Sequence, residues 1–133
     1  MKIVSAKEQI ELEKRIAITP ETAKKFISIG IDVSLPKDYG IHLGFSDDEY
    51  KSLGVNIVEN EKDLFNQSDI IVQLGLPSDD KLSHLKEKQI LIGVLNPFSN
   101  KEKLGELQKK KINSFSLELL PRITRAQSMD ILS

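Results

Sequence analysis

Apolar residues in this chain fall in short runs that alternate with charged stretches of helical spacing. Lys2 to Ala6 reads as a first, short strand, and Lys7 to Arg15 as a charged loop with Ile10 and Leu12 as isolated apolar points. Arg15-Ile16-Ala17-Ile18 leads into Thr19-Pro20-Glu21-Thr22. There Thr19 can cap a helix, Pro20 fits its first turn and Glu21 suits the positive end of its dipole. Ala23, Phe26 and Ile27 share a face of that helix, and Gly30 ends it. Ile31 to Leu35 alternates as a strand, and Pro36 to Gly44 reads as a loop. Ser46-Asp47-Asp48-Glu49 is a capping box for a short helix that stops at Gly54. Val55 to Val58 is the next strand, and Asn60 can cap a helix carrying Leu64 and Phe65.

Asp69 to Leu74 is the clearest buried strand, β-branched and almost continuously apolar, and Gly75-Leu76-Pro77 turns the chain beyond it. Asp79 to Lys88 is predicted helical with Leu82 and Leu85 inward. Gln89 to Leu95 is another buried strand, followed by Asn96-Pro97-Phe98. Ser99-Asn100-Lys101-Glu102 is a second capping box. Its helix carries Leu104 and Leu107 inward and Lys109-Lys110-Lys111 at its C-terminal end, where cations suit the dipole. Ile112 to Leu117 alternates as a last strand. Strands alternating with helices at short spacing predict an α/β fold, a mostly parallel sheet with helices on both faces, Rossmann-like or flavodoxin-like. In such folds ligands lie beyond the C-terminal ends of the strands. Gly75-Leu76-Pro77, Asn96-Pro97-Phe98 and the segment from Pro121 onward all fall there.

With 133 residues the chain suits one domain with a real core. Its 39% hydrophobic and 29% charged residues are an ordinary globular balance, and a net charge of −1 gives no reason to expect a nucleic-acid partner. The absence of cysteine excludes disulfides, thiolate metal sites and cysteine nucleophiles. No apolar run approaches the roughly 20 residues of a membrane helix, and the start lacks a signal-peptide core, so a cytoplasmic location is expected. The last residues, Ile131-Leu132-Ser133, stop inside an unfinished helical pattern without a Gly, Pro or basic stop. The expectation is a chain cut from something longer.

That last segment, Pro121 to Ser133, concentrates the polar chemistry. If it is helical after Pro121, Gln127, Asp130 and Ser133 recur every third residue on one face, and Ala126, Met129 and Leu132 follow an adjacent line that can be buried. With Arg122 and Arg125 it offers guanidinium, amide, carboxylate and hydroxyl groups, a set able to grip a polar, planar ligand. An amphipathic terminal helix with a solvated polar face explains the same residues. Elsewhere, no Gly-x-Gly-x-x-Gly, Walker-type loop or nucleophile-elbow serine occurs. His42 and His84 lie far apart and outside metal-ligand spacings, and Asp47, Asp48 and Glu49 are explained by helix capping. An independent catalyst is not expected from these residues.

Pro121-Arg122-Ile123-Thr124-Arg125-Ala126-Gln127-Ser128-Met129-Asp130 closely resembles a segment of the proton-translocating nicotinamide nucleotide transhydrogenases, the loop of their NAD(H)-binding component beside the nicotinamide. Glu13-Lys14-Arg15-Ile16-Ala17-Ile18-Thr19-Pro20 resembles the N-terminal signature that transhydrogenases share with alanine dehydrogenases. The strand from Ile70 to Leu74 with Gly75-Leu76-Pro77 takes the place of a second shared segment. The resemblance implies that Arg122, Gln127 and Asp130 serve catalysis and cofactor binding, with Ser133 at the nicotinamide carboxamide. It implies NAD(H) as cofactor, NADP(H) on a partner component, and no metal. In alanine dehydrogenases the counterpart of Arg15 holds the substrate carboxylate with help from a lysine and a catalytic histidine. Gly75 and Asn96 stand where those two would be, which removes a cation and an acid–base group that amino-acid oxidation needs. Arg15 itself has a structural ion pair or a site role open to it.

The resemblance therefore implies the N-terminal subdomain of a transhydrogenase alpha subunit, residues 1–133, ending before the nucleotide-binding domain and inactive alone. Its implied partners are the rest of the alpha subunit, the NADP(H)-binding and membrane components, and a second copy in a homodimer. Through that assembly it would lie peripherally at the inner membrane. A non-catalytic module that binds a partner or small ligand is the alternative from a different class, and an alanine dehydrogenase fragment the third.

Overall fold

In a computed structural model, residues 1–8, 14–95 and 100–116 are described. The elements in order are β1 (Lys2–Val4), α1 (Pro20–Ser28), β2 (Asp32–Pro36), a 3-10 turn (Ile41–Leu43), α2 (Asp47–Ser52) and β3 (Asn56–Val58). They continue with α3 (Glu61–Asn66), β4 (Ile70–Gln73), α4 (Asp79–Leu82), β5 (Ile90–Gly93), α5 (Lys101–Lys109) and β6 (Asn113–Ser116).

All five strand pairings are parallel, and the six strands lie in the order β3-β2-β1-β4-β5-β6. The expected parallel α/β fold is therefore the observed one, in the strand order of doubly wound sheets. Two buried clusters flank the sheet. One joins Ile3, Val33, Leu35 and Val72 to Ala23 of α1 and Tyr50 of α2. The other joins Val4, Ile71 and Leu91 to Leu64 and Phe65 of α3, Leu82 of α4 and Leu107 of α5. Successive residues of a strand thus feed opposite faces, and each fully buried Leu, Ile or Phe contributes about 1.5–3 kcal/mol.

The helix starts follow the predicted caps. Thr19 Oγ1 accepts from Thr22 N at 3.2 Å, Ser46 Oγ from Glu49 N at 3.2 Å, and Asn60 Oδ1 from Lys62 N at 2.8 Å. The end of α1 is a Schellman turn. Gly30, at φ +90°, donates to Ile27 O at 3.0 Å and Ile31 donates to Phe26 O at 3.1 Å.

Two expectations are corrected. The helix over Asp79 to Lys88 is a single turn, Asp79–Leu82. Buried Gln89 takes the backbone away from it. Its Oε1 accepts from Lys86 N at 2.6 Å, and its Nε2 donates to Phe65 O at 2.6 Å and Ser68 O at 2.9 Å. Satisfying that buried amide requires a turn, which Lys88 completes at φ +76°. The second correction concerns α5, whose N-cap is Asn100, one residue after the serine of the predicted capping box. Its amide donates instead to Leu95 O at 2.8 Å. Ser99 lies outside the described residues.

Candidate functional site

The order β3-β2-β1-β4-β5-β6 reverses direction between β1 and β4. Beyond the C-terminal ends of those two strands lies the crevice where doubly wound sheets receive ligands. In this chain the crevice is bridged by its own side chains. Gln73, the last residue of β4, is buried to 1% exposure. Its Oε1 accepts from Ala6 N at 2.6 Å and Ser5 Oγ at 3.3 Å, and its Nε2 donates to Ala6 O at 3.2 Å and Glu8 Oε2 at 2.9 Å. Those partners fix the amide's orientation, since a carboxylate and a carbonyl can only accept. The Glu8 carboxylate also accepts from Leu74 N at 2.8 Å and Gly75 N at 3.2 Å. The backbone donors that would meet an anionic ligand are thus already occupied by an anion.

The network extends to the loop bearing Arg15. Tyr39, fully buried, donates its hydroxyl to Ser5 Oγ at 2.8 Å and accepts from Ala17 N and Ile18 N, both at 3.1 Å. Tyr50 donates to Ile18 O at 2.8 Å. The two rings meet edge to face at 6.1 Å. Burial pushes the Tyr39 phenol up to about 12 from its ordinary 10, against the lowering pull of its Ser5 hydrogen bond. Burial likewise raises the Tyr50 phenol. Both stay protonated at neutral pH and serve as fixed hydrogen-bonding posts. Residues 17–18 are therefore clamped, and Arg15, exposed, leads into them.

The predicted site residues separate accordingly. Arg122, Gln127, Asp130 and Ser133 lie outside the described residues, as do Asn96 and Glu13. Gly75 lies at the crevice. A Cβ there would meet only Glu8 Oε1, at an ordinary 3.8 Å, so space alone does not demand glycine. His42 touches Lys14 O through Nε2 at 2.7 Å, and His84 stacks on Phe65 at 6.5 Å. Asp47 accepts from Asp38 N at 3.0 Å as well as beginning α2, which supports the structural role expected of it. A hollow of about 490 Å³ beside α3 and α4 is lined by Glu59, Glu61, Asp80, Lys62, Lys81 and His84. Lys81 there donates to Lys7 O at 2.7 Å and stands 3.3 Å from Glu61, so its charge is already matched.

Sequence reasoning missed Ser5, Glu8, Tyr39 and Gln73. One signal was available, a glutamine inside an otherwise apolar strand, because buried amides need partners.

Against known proteins, the pattern of the family described as Alanine dehydrogenase/PNT, N-terminal domain, matches residues 5–133. This chain belongs to that family. It is 41% identical over 137 residues to an NAD(P) transhydrogenase subunit alpha protein of Rickettsia prowazekii, covering 100% of this chain and 36% of the relative. It is 30% identical over 127 residues to alanine dehydrogenase 1 of Staphylococcus aureus, covering 96% of this chain and 34% of the relative. The crystal structure of transhydrogenase from Sinorhizobium meliloti superposes with a TM-score of 0.86 at 33% identity, over 96% of this chain and 38% of that one. This member of the family thus spans about a third of the length of each of these three proteins. Among its described residues no helix is long and apolar enough to cross a membrane.

Proposed function

We propose that this chain is the N-terminal subdomain of the NAD(H)-binding component of a proton-translocating transhydrogenase, which passes hydride between NAD(H) and NADP(H). The observation that carries the proposal is the full-chain similarity to a transhydrogenase alpha subunit, at 41% identity against 30% for an alanine dehydrogenase. Gly75 and Asn96 agree with it, since neither offers the cation or the acid–base group of amino-acid oxidation.

The residues present fit one end of the cofactor. Arg122, Gln127, Asp130 and Ser133 supply donors and acceptors that complement a nicotinamide carboxamide. The described strand ends do not fit its phosphates, because Glu8 occupies the N–H groups of Leu74 and Gly75. The phosphates then belong to a nucleotide-binding domain elsewhere in the component, and residues 1–133 form the domain before it. The bound nicotinamide supplies the hydride, so the protein needs position and electrostatics but no acid–base residue. Arg122 and Gln127 orient the carboxamide, Asp130 holds that arginine or the ribose side, and Ser133 bonds the carboxamide. The component pairs as a homodimer and meets its NADP(H)-binding partner at the cytoplasmic side of the inner membrane.

The test is hydride transfer by the full-length component assembled with that partner, alongside NAD reduction by alanine. Transfer between the two nucleotides, with no alanine-dependent reduction, supports the proposal, and the reverse pattern sinks it. The closed crevice favours a second reading, a non-catalytic module. It predicts no transfer in any assembly and no affinity of the chain for NADH.

A further inference from the structure

The N-terminal end of the β4–β6 half concentrates positive charge. Lys86 and Lys88 stand in the turn before β5, and Lys109, Lys110 and Lys111 lie between the end of α5 and β6. The two turns meet, because Lys88 N donates to Lys111 O at 2.9 Å. All five lysines are exposed. Glu87 is the one acid in residues 86–88 and 109–111, so five lysines leave a net +4 there, in a chain whose net charge is −1. Lys86 Nζ donates to Asn66 O at 2.6 Å, and a carbonyl leaves its charge unmatched. Among the described residues none of the five forms an ion pair.

The helix dipole accounts for Lys109 to Lys111, at the C-terminal end of α5, and not for Lys86 and Lys88. Nor does the backbone call for lysine. Lys88 sits at φ +76° and Lys111 at φ +64°, a region that glycine adopts without strain and that Gly30 and Gly54 fill in the other half. Strain of this kind clusters where a side chain has a use. The chemistry of the set says what that use is. All five are lysines, point charges on flexible stems, with no arginine fork for a discrete carboxylate or phosphate. The backbone offers no anion cradle, since the N–H groups of Lys86, Lys88, Gln89, Lys110, Lys111 and Ile112 are already bonded within the chain. Ile112 is buried, and residues 86–89 and 108–111 contain no aromatic or aliphatic anchor for a protein interface. What remains is attraction to negative charge spread over a surface.

We propose that this end of the sheet docks on an anionic lipid surface, with the five lysines among the headgroup phosphates. The strands are parallel, so the crevice at Gln73 lies at the opposite end, about 13 Å away along the four residues of β4. Docking therefore orients the domain, with the crevice facing away from the lipid. Each lysine at such a surface strengthens binding about fivefold, and added salt weakens the attraction. Which membrane is met rests on the proposed function; the docking itself does not.

The test is sedimentation of the full-length component with vesicles of phosphatidylcholine and phosphatidylglycerol in equal parts, against phosphatidylcholine alone. Binding to the anionic vesicles only is expected. The double variant Lys88→Gly with Lys111→Gly removes two charges where the backbone suits glycine. It is expected to keep or raise the Tm and to bind the anionic vesicles about 25-fold more weakly. As a control, Lys24→Gln, at an exposed position of α1, is expected to leave binding unchanged. No binding, equal binding to both kinds of vesicle, an undiminished double variant or an about fivefold loss in the control would each overturn the proposal. So would a loss of affinity for the NADP(H)-binding partner in place of the vesicles, which would assign the lysines to an acidic protein surface. None of these measurements needs hydride transfer, so failure of the docking and failure of the functional proposal are told apart.

Discussion

The half of the sheet built from β1 to β3 and the half built from β4 to β6 are made under different rules. In the first half the helix ends fall on glycine, Gly30 after α1 and Gly54 after α2, both at positive φ. In the second half the equivalent turn after α5 has Lys111 at φ +64°, and the turn before β5 has Lys88 at φ +76°. The first half has an aromatic clamp, Tyr39 and Tyr50 on residues 17–18. In the second half Ile90, Ile92, Val94 and Phe115, which lie outside either cluster, are in or just past the strands, whereas Ile29, Ile41 and Leu43 of the first half, also outside, lie at a helix end and in the 3-10 turn. A segment can carry such strain when long-range contacts over-determine it. The first half is thus closed by glycine turns and a long-range aromatic clamp, with Asp38 at φ +60° as its own left-handed residue, while the second half closes its turns with left-handed lysines.

The sharpest break in this comparison is expected inside the second half, where β4 and β5 crowd. A Cβ on Gly93 would lie 2.1 Å from Gln73 O in the neighbouring strand. Gly93→Ala is expected to destabilise by on the order of 4 kcal/mol by forcing β5 from β4, read by chemical denaturation. A loss under about 1 kcal/mol would show that the strands give way easily.

Next comes the joint between the halves. Gln73→Leu keeps the volume but strands the N–H and carbonyl of Ala6. The expected loss is about 3 kcal/mol. Hydrogen exchange should quicken at residues 5–8 as well as at 74–75, because Glu8 loses one of its donors. Quickening on only one side would mean that the bridge does not couple the two strands.

Tyr39→Phe tests the clamp of the first half and is expected to cost about 2 kcal/mol. It also has a pH signature. The phenol's folded pKa, about 12, lies above its ordinary 10, so the folded state binds the proton more tightly. The associated stability is fully present below pH 10 and is lost as pH rises from 10 towards 12. Thermal melts across that window should fall less steeply in Tyr39→Phe than in wild type. Parallel slopes would remove Tyr39 as the titrating post.

The smallest effect is a gain. Lys111→Gly relieves a left-handed lysine in the turn where Lys111 N meets Gln108 O at 2.9 Å. A rise of about 0.5–1 kcal/mol is expected, net of glycine's greater unfolded-state entropy. Destabilisation instead would mean that the lysine side chain makes a compensating contact.

Much of the fold was legible because it is written locally. Thr19, Ser46 and Asn60 announce their helices through bonds two or three residues away, and Gly30 and Gly54 end theirs by backbone freedom that only glycine has cheaply. What escaped was long-range. Gln73 bonds residues 65 to 68 positions distant, so its partners leave no trace in its own neighbourhood. Gln89 shortened the helix over Asp79 to Lys88 for the same reason, through Phe65 and Ser68. At the candidate site the Glu8 carboxylate beside Gly75 was not foreseen. The nicotinamide-facing set, Arg122, Gln127, Asp130 and Ser133, rests on the likeness of its string to transhydrogenases and lies outside the described residues.

The measurement that tests that set most directly is hydride transfer between NADH and oxidised NADP by the full-length component assembled with its NADP(H)-binding partner. Wild type is compared with Arg122→Ala and Gln127→Asn at matched Tm. The expected result is a fall of at least about tenfold in turnover, or about 1.4 kcal/mol of transition-state stabilisation, in both variants. Wild-type turnover in both would contradict the assignment.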